Sequence, residues 1–259
     1  NAYDFSVLGA TPITFPIEWQ SSKIPGFAGR VSVPDFHGIS ALMVFSSVAA
    51  RFFAPQLGGA GAAPSAAGGV FRIDHDETFN QTTHLQYQIG KRGPWVGFNW
   101  RYDSGLVAGP VPCFGGNCAN GPAGDAASSV VDASIISPDQ QYQAGLFCGS
   151  VRATPTSPIS SSLGPNLCPS SSYGSTLITI PAPGTEDDDH NPPRIAPRNL
   201  FDLAVGEDNL FHGDKYKWSL RLTAINVANS VALYNFLSTF SGTHYVSPRS
   251  YTAEVGFHF

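Results

Sequence analysis

The sequence predicts an all-β, antiparallel fold, and three observations point to it. Apolar and polar residues alternate with a period of two in several runs, which gives a strand one apolar and one polar face. Aromatic residues form 12% of the 259 residues and charged residues only 13%. Glycine and proline number 27 and 21, which supplies many turns. No apolar run of about 18 residues occurs, so no transmembrane helix is predicted.

The alternating runs recur along the chain. Near the start, Ile13 and Phe15 alternate with Thr14 and Pro16, and the alternation continues to Trp19. Residues 84–89 and 96–102 flank a short turn at residues 91–94, so they predict a hairpin. The remaining runs are residues 201–205, 215–224 and 250–259.

The last run has the clearest pattern. One face carries five apolar residues and the other carries polar residues and glycine. An aromatic residue at the end of a strand is expected where the strand is fixed in a closed sheet between lipid and a polar lumen. A soluble β-sandwich alternates in the same way, so the recurrence of the pattern favours a transmembrane β-barrel over that alternative. The apolar residues are Tyr251, Ala253, Val255, Phe257 and Phe259.

The middle of the chain, about residues 104–198, is rich in glycine, proline, serine and alanine. Loops of this length are uncommon in compact soluble domains, whereas outer-membrane barrels carry long outer loops and short periplasmic turns. Residues 176–180 are the best candidate for a strand within it. Two acidic groups, residues 74–77 and 186–190, are interpreted as hydrophilic loops, either solvated or folded into the lumen, because neither has the ligand spacing of an EF-hand. A contact with Ca²⁺ or another ligand through their carboxylates is the alternative.

All four cysteines lie in this middle region: Cys113, Cys118, Cys148 and Cys168. An even number confined to a loop favours two disulfides in an oxidising compartment. We prefer the local pairs Cys113 with Cys118 and Cys148 with Cys168, although the sequence allows three pairings. Free thiols remain an alternative. Zinc binding is disfavoured because no C-x-x-C pair with a nearby histidine occurs.

The net charge and the motif content of the sequence argue against two classes of function, nucleic-acid binding and catalysis. The formal net charge of −5 argues against nucleic acid as a partner, since phosphate binding needs a basic face. Serine-hydrolase, zinc-protease and nucleotide-binding motifs are absent from the sequence. We therefore predict no enzymatic activity, no catalytic residues, no cofactor and no metal site.

The end of the chain, from about residue 226 to residue 259, resembles the C-terminus of TonB-dependent outer-membrane receptors. An Asn-x-x-Asn turn at residues 226–229, a short strand at 232–237, an outer loop ending in Pro248-Arg249, and a final strand ending in Phe259 follow the order found in that family. More narrowly, three stretches resemble the large Acidobacteria-type receptors that carry a carboxypeptidase-regulatory-like domain. They are residues 71–76, 100–109 and 232–238.

The resemblance implies the C-terminal part of a barrel of about 22 strands in the bacterial outer membrane. Residues 1–259 would be one barrel segment, and the family's signal peptide, plug domain and TonB box have no counterpart in them. The expected partners are outer-membrane lipid, the barrel-assembly machinery and an unknown small ligand bound by the outer loops, with TonB reached only through the missing N-terminal region. Tyr251, Val255, Phe257 and Phe259 would form the C-terminal assembly signal.

The resemblance also implies an orientation, with the final carboxylate on the periplasmic side. Residues 226–229 and 91–94 are then expected in periplasmic turns, and residues 212–214 and 238–249 in outer loops. By parity, a further strand is expected between residue 104 and residue 200. The alternative function is a small self-closing barrel acting as a diffusion pore or adhesin, in which the first and last strands would pair.

Overall fold

The structure is a computed structural model that describes residues 2–7, 11–16, 22–52, 71–72, 76–108, 137–159, 168, 172–181, 191–238 and 242–259. It is built mostly from antiparallel strands, with one short helix among the described residues. The elements are β1 (Ala2–Val7), β2 (Thr11–Pro16), β3 (Ser22–Lys23), β4 (Gly26–Phe36), β5 (Ile39–Val48), β6 (Arg51–Phe52), β7 (Phe71–Arg72), β8 (Asn80–Gln88), β9 (Trp95–Asp103), α1 (Pro138–Ala144), β10 (Leu146–Cys148), β11 (Val151–Arg152), β12 (Tyr173–Ser175), β13 (Ile178–Thr179), β14 (Arg194–Ile195), β15 (Arg198–Glu207), β16 (Lys217–Ile225), β17 (Leu233–Ser238), β18 (Gly242–Tyr245) and β19 (Ser250–His258).

Seven long strands form the main sheet, in the order β4-β5-β8-β9-β15-β16-β19. This order follows the chain, and every neighbouring pair is antiparallel, so the sheet is an up-and-down meander. Each of its strands has 9 to 11 residues. The predicted all-β antiparallel class is therefore confirmed. Among the described strands β4 and β19 lie at opposite edges of the sheet and are not paired with each other.

The connections of the main sheet differ sharply between its two ends. At the short-turn end, β4 joins β5 through His37 and Gly38, and β8 joins β9 through residues 89–94. Residues 208–216 also lie there, next to the end of β19. At the other end, which we call the loop end, the connections span residues 49–79, 104–197 and 226–249.

The short turn between β4 and β5 depends on backbone conformations that favour glycine. His37 and Gly38 both have positive φ, at 54° and 85°. A side chain on Gly38 would also meet the Gln88 carbonyl oxygen of the neighbouring β8. The Asp35 carboxylate accepts a hydrogen bond from the Gly38 amide at 2.8 Å, which fixes the turn.

The predicted hairpin at residues 84–89 and 96–102 is confirmed. It is the pair β8 and β9, in which Leu85 faces Phe98 and Tyr87 faces Val96. The runs at 201–205, 215–224 and 250–259 lie in β15, β16 and β19. Of the early run, residues 11–16 form β2, paired with β1, while residues 17–20 lie outside the described residues.

Three expectations about chain direction were wrong. No extra strand is needed between residues 104 and 200, because β9 pairs directly with β15; of residues 176–180 only Ile178–Thr179 form a strand, the short β13, which lies outside the main sheet. The strand at 232–237 exists as β17 but pairs with β18 outside the main sheet. Consequently residues 226–229 lie at the loop end, opposite the C-terminus, and residues 212–214 lie at the short-turn end.

β17 lies outside the main sheet because of its length and the burial of its side chains. It has six residues, fewer than any strand of the main sheet. Leu233 and Phe236 are fully buried, and Asn235 and Ser238 are buried as well, so this strand has no exposed apolar row. β17 packs into a small core and leaves β16 free to pair with β19.

The elements α1, β10 to β14, β17 and β18 form what we call the cap, which belongs to the long connections at the loop end. Its core is a cluster of buried apolar side chains, in contrast to the exposed rows of the main sheet. Helix α1 begins with a capping box between Ser137 and Gln140 and ends at Gly145, whose φ is 68°. The core residues are Ala108, Ala144, Leu146, Ala153, Ile178, Ile195, Leu233 and Phe236.

Candidate functional site

The candidate functional surface is one face of the main sheet, which we call the apolar face. The strand register aligns apolar side chains in rows across it: Trp218 faces Phe257, Leu220 faces Val255, and Leu222 faces Ala253. The rows continue through β15, β9, β8, β5 and β4. Their members are Phe201, Leu203, Val205, Val96, Phe98, Trp100, Leu85, Tyr87, Ile39, Ala41, Met43, Phe45, Val31 and Val33.

Many of these side chains are exposed. Tyr251 is 73% exposed, Val255 65% and Val31 54%. Others, such as Phe98 and Phe45, are half-buried. A contiguous apolar surface of this extent marks a face that meets lipid or another protein, since isolated apolar residues are the norm on a soluble surface.

Aromatic rings gather towards both ends of the apolar face. At the short-turn end, the Phe257 ring packs on Tyr216, Trp218 and Phe259, with centroids 6.0, 4.9 and 6.1 Å away. At the loop end, Phe79 stacks on Phe45 at 6.5 Å and contacts Tyr102 at 6.2 Å. Aliphatic side chains such as Leu85, Leu203 and Leu222 lie between the two groups.

The opposite face of the sheet carries polar pairs. His84 and Asn99 are joined through Nδ1 and Oδ1 at 2.7 Å, and Arg101 lies 3.7 Å from the Asp202 carboxylate. The Arg221 guanidinium lies over the Trp95 ring at 5.7 Å. Leu42 and Val44 of β5 are apolar exceptions on this face. The sheet thus separates an apolar side from a polar one.

A buried ionic cluster joins the sheet to its loop-end connections. Asp76 is 1% exposed and accepts hydrogen bonds from the Arg194 and Arg72 guanidinium groups and from the Ala50 amide. Arg194 also donates to the Asp76 backbone oxygen at 2.9 Å. The carboxylate therefore ties together segments more than a hundred residues apart in the chain.

A second ionic group lies beside it. Arg198 is buried, and its Nε is 2.9 Å from the Asp103 carboxylate. The same guanidinium donates to the Leu233 carbonyl at 3.1 Å and lies 5.0 Å from the Tyr234 ring centre, so it holds β17 against β15. Burial, reinforced by the nearby Asp103 carboxylate, raises the pKa of Glu77 above its usual value.

Asn226 fixes the connection that leaves β16. It is buried and has a φ of 51°, and its backbone N–H donates to the Asp202 carboxylate at 2.9 Å. Its side chain donates to the carbonyls of Ser230 and Ser247 and accepts from the Ser230 amide. These bonds tie the turn that begins at Asn226 to β15 and to the segment before β19, and the Asn229 side-chain oxygen accepts a further bond from the Arg249 amide at 3.2 Å.

The residues predicted as sites are dispersed. Cys148 and Cys168 form a disulfide with a Cα–Cα distance of 5.7 Å, while Cys113, Cys118 and residues 186–190 lie outside the described residues. Of the acidic group at 74–77, Asp76 and Glu77 are described. The interpretation of this group as a solvated loop was wrong for Asp76, which is 1% exposed and pairs with arginines. Tyr251, Val255, Phe257 and Phe259 all lie exposed along the β19 edge of the sheet.

The ionic cluster and the cap core were not predicted from the sequence. Asp76 is separated from Arg194 by 118 positions, and no local pattern marks the two as partners. Within the part of the chain that the structure describes, no group of three metal-ligating side chains occurs. The described helix is too short to cross a bilayer.

No family model, curated protein or solved structure matches the chain.

Proposed function

We propose that the chain forms part of the wall of an outer-membrane β-barrel, and that this barrel is a TonB-dependent receptor that imports a ligand bound by its outer loops. The observation that carries the proposal is the main sheet: seven antiparallel strands in chain order, with one exposed apolar face and one polar face. A barrel strand has its apolar side chains towards lipid and its polar side chains towards the lumen.

Strand length supports the same reading. A strand that crosses the hydrocarbon core of a bilayer at a tilt needs about 9 to 11 residues. The seven strands of the main sheet have 9 to 11 residues, whereas the strands of the cap have two to six. The aromatic rings at both ends of the apolar face correspond to the aromatic girdles at the two membrane interfaces.

The connections support an orientation. Outer-membrane barrels have short turns on the periplasmic side and long loops outside. The loop end of the sheet, with the cap and the Cys148–Cys168 disulfide, would then face the exterior, and the short-turn end, with Phe259, would face the periplasm. A disulfide is stable in such an oxidising setting.

The two edges of the sheet favour a barrel wall over a small barrel closed by these strands alone. An unpaired strand edge is not tolerated in hydrocarbon, because its backbone groups have no hydrogen-bond partner there. In the described part of the chain β4 and β19 do not pair with each other, so each would pair with a further strand.

The receptor class rests on the resemblance of residues 226–259, and of the shorter stretches 71–76, 100–109 and 232–238, to TonB-dependent receptors. In that class TonB supplies energy through an N-terminal plug region, and the barrel-assembly machinery recognises the final strand. In this chain that strand is β19, which carries Tyr251, Val255 and Phe257 and is followed directly by Phe259.

Protease access on intact Gram-negative cells expressing the full gene tests the location and the orientation. We expect the chain in the outer-membrane fraction. Added trypsin should cut at Arg249 or Arg152 at the loop end, and should spare Lys91 and Arg92 in the short turn until the outer membrane is permeabilised. Recovery in the soluble periplasmic fraction, or cleavage at Lys91 in intact cells, would overturn the proposal.

A second experiment separates the receptor from the pore. The purified chain is added to planar phospholipid bilayers, and the conductance is recorded. The receptor proposal expects no stable open channel from this chain alone. Uniform, long-lived conductance steps would show a self-closing diffusion pore instead.

A further inference from the structure

A cleft of about 420 Å³ opens on the cap. Its volume falls within the range of about 300 to 1,000 Å³ that is usual for small-ligand sites. Four separate segments line it: helix α1, strand β11, the residue before β13, and the connection that carries Val231 and leads through β17 to β18. Convergence of distant segments on one concavity is the arrangement expected of a binding site on a loop-built surface.

Two tyrosine rings dominate the walls of the cleft. Tyr142 is 46% exposed and Tyr245 is 42% exposed. The Tyr245 hydroxyl donates to the Gln143 carbonyl at 3.3 Å, which holds its ring beside α1. Partial burial, with a smaller effect from the nearby Tyr142, raises the pKa of Tyr245, so its hydroxyl stays protonated at neutral pH.

Three planar polar side chains accompany the rings: those of Asp139, Gln143 and Arg152. Arg152 lies over the Tyr142 ring at 5.6 Å, which leaves the N–H groups at the edge of its guanidinium available. Among the described contacts, none of these three side chains makes a hydrogen bond. The cleft therefore offers an acceptor-only carboxylate, a donor-only guanidinium and an amide that does both.

The walls are supported from beneath by the core of the cap. Gln143, Arg152 and Leu177 each precede a buried core residue, namely Ala144, Ala153 and Ile178. β11, which carries Arg152, pairs with β10, and β10 ends at the disulfide-bonded Cys148. A site supported in this way is preorganised, which lowers the entropic cost of binding.

We propose that this cleft binds a small neutral saccharide. A sugar ring has C–H faces that pack on tyrosine rings, and its hydroxyl groups both donate and accept hydrogen bonds, which matches the mixed polar set. The charges of Asp139 and Arg152 cancel formally, so the cleft has no net charge that would select an anion or a cation. This inference rests on the proposed function, because it names the class of ligand that the outer loops would hold.

The test is isothermal titration of the full chain in detergent micelles with maltose, cellobiose and lactose, and with a zwitterionic dipeptide, glycyl-phenylalanine. We expect saturable binding of at least one disaccharide with a Kd of about 1 mM or below, and no binding of the dipeptide. Binding of the dipeptide alone, or of no probe, would overturn the saccharide assignment.

Variants locate the site. Tyr142→Ala should weaken disaccharide binding about five- to tenfold, the effect of losing one aromatic contact, whereas Tyr142→Phe keeps the ring and should change it about twofold or less. Val151→Ala is the matched control, because Val151 is exposed beside Arg152 but does not line the cleft. Equal affinity in Tyr142→Ala and wild type would place the binding elsewhere and contradict the proposal.

The two proposals fail in different ways. Flotation of the wild-type chain with phospholipid vesicles measures membrane association without reference to the cleft, and Tyr142→Ala should float as wild type does. A chain that floats but binds no disaccharide overturns the cleft assignment alone. A chain that does not float overturns the barrel.

Discussion

The main sheet and the cap solve the packing of apolar side chains in opposite ways. In the cap, Leu146, Ile178 and Phe236 are essentially inaccessible to solvent. In the main sheet, side chains as large as Tyr251 and Phe257 are exposed along one face. The cap is therefore a conventional small protein core, stabilised by burial. The main sheet instead has an apolar face that is exposed, as is typical of a surface that contacts lipid or another protein.

Alternation alone does not determine whether an apolar row faces a protein core or another environment. The same period of two gives a row that faces a core in one setting and lipid in another. Strand length separates the two regions better than alternation does, because the main-sheet strands have 9 to 11 residues and the cap strands have six or fewer.

The largest expected effect is at the junction of the two regions. Asp76→Ala removes the buried carboxylate that pairs with the Arg194 and Arg72 guanidinium groups, and should cost about 3 to 5 kcal/mol of stability at the loop end. Urea unfolding of the vesicle-bound chain, followed by circular dichroism, measures the change. Asp214→Ala, at an exposed turn residue, is the control and should change stability little. Equal effects of the two variants would contradict the role of the cluster.

A charge in the middle of β16 distinguishes the two faces of the main sheet. Leu222→Arg places a guanidinium on the apolar face and should cost about 2 to 4 kcal/mol if that face meets the centre of a bilayer. Thr223→Arg, one residue further on and on the polar face, should be tolerated. Refolding yield into phospholipid vesicles measures both, and a Thr223→Arg effect as large as that of Leu222→Arg would show that the faces are equivalent.

Removal of the disulfide should affect the cap and spare the main sheet. The double variant Cys148→Ala/Cys168→Ala opens a bridge between residues 20 positions apart, which should destabilise the cap by about 3 kcal/mol. Amide hydrogen exchange should speed up at Leu146 and Ile178 and stay unchanged at Leu222. Faster exchange at Leu222 would mean that the cap and the sheet unfold together.

The smallest effect is a pH dependence at the junction. Burial and the neighbouring Asp103 raise the pKa of Glu77, so the folded chain binds this proton more tightly than the unfolded chain does. The stabilising contribution is complete below the usual pKa of 4.5 and is lost as pH rises through the folded value. Glu77→Gln should therefore be more stable than wild type at neutral pH, by less than about 1 kcal/mol.

The measurement is urea unfolding of both chains between about pH 4 and pH 8, the range in which a raised carboxyl pKa acts. The advantage of the glutamine variant should grow with pH. Asp35→Asn, at an exposed turn, is the control. An advantage that shrinks as pH rises would contradict the assigned direction.

The strands of the main sheet were predictable to the extent that they alternate strictly. β8, β9, β16 and β19 each have an apolar row that can be found from the sequence alone. β5 escaped prediction because Leu42 and Val44 place apolar side chains on the polar face and blur the alternation. β17 was misplaced because its length and its two-sided burial are set by the cap core, which no local pattern reveals.

The candidate sites were less predictable than the strands. The ionic cluster depends on the proximity of Asp76 and Arg194, which the pairing of β9 with β15 and the bridge between Val107 and Arg194 create. The cleft needs α1 and β11 to meet Leu177, Val231 and Tyr245, which lie further along the chain. The Cys148–Cys168 pair is the exception, since the two cysteines are close in sequence and a disulfide between them closes a short loop.

The barrel proposal depends on contact between the apolar face of the main sheet and lipid. Fluorescence quenching by brominated phospholipids in reconstituted vesicles tests it most directly, using variants that keep one tryptophan each. Trp218 lies on the apolar face, and Trp95 lies on the polar face beneath the Arg221 guanidinium. If the apolar face contacts lipid, Trp218 should be quenched strongly and Trp95 weakly. Equal quenching of the two, or none of either, would contradict it.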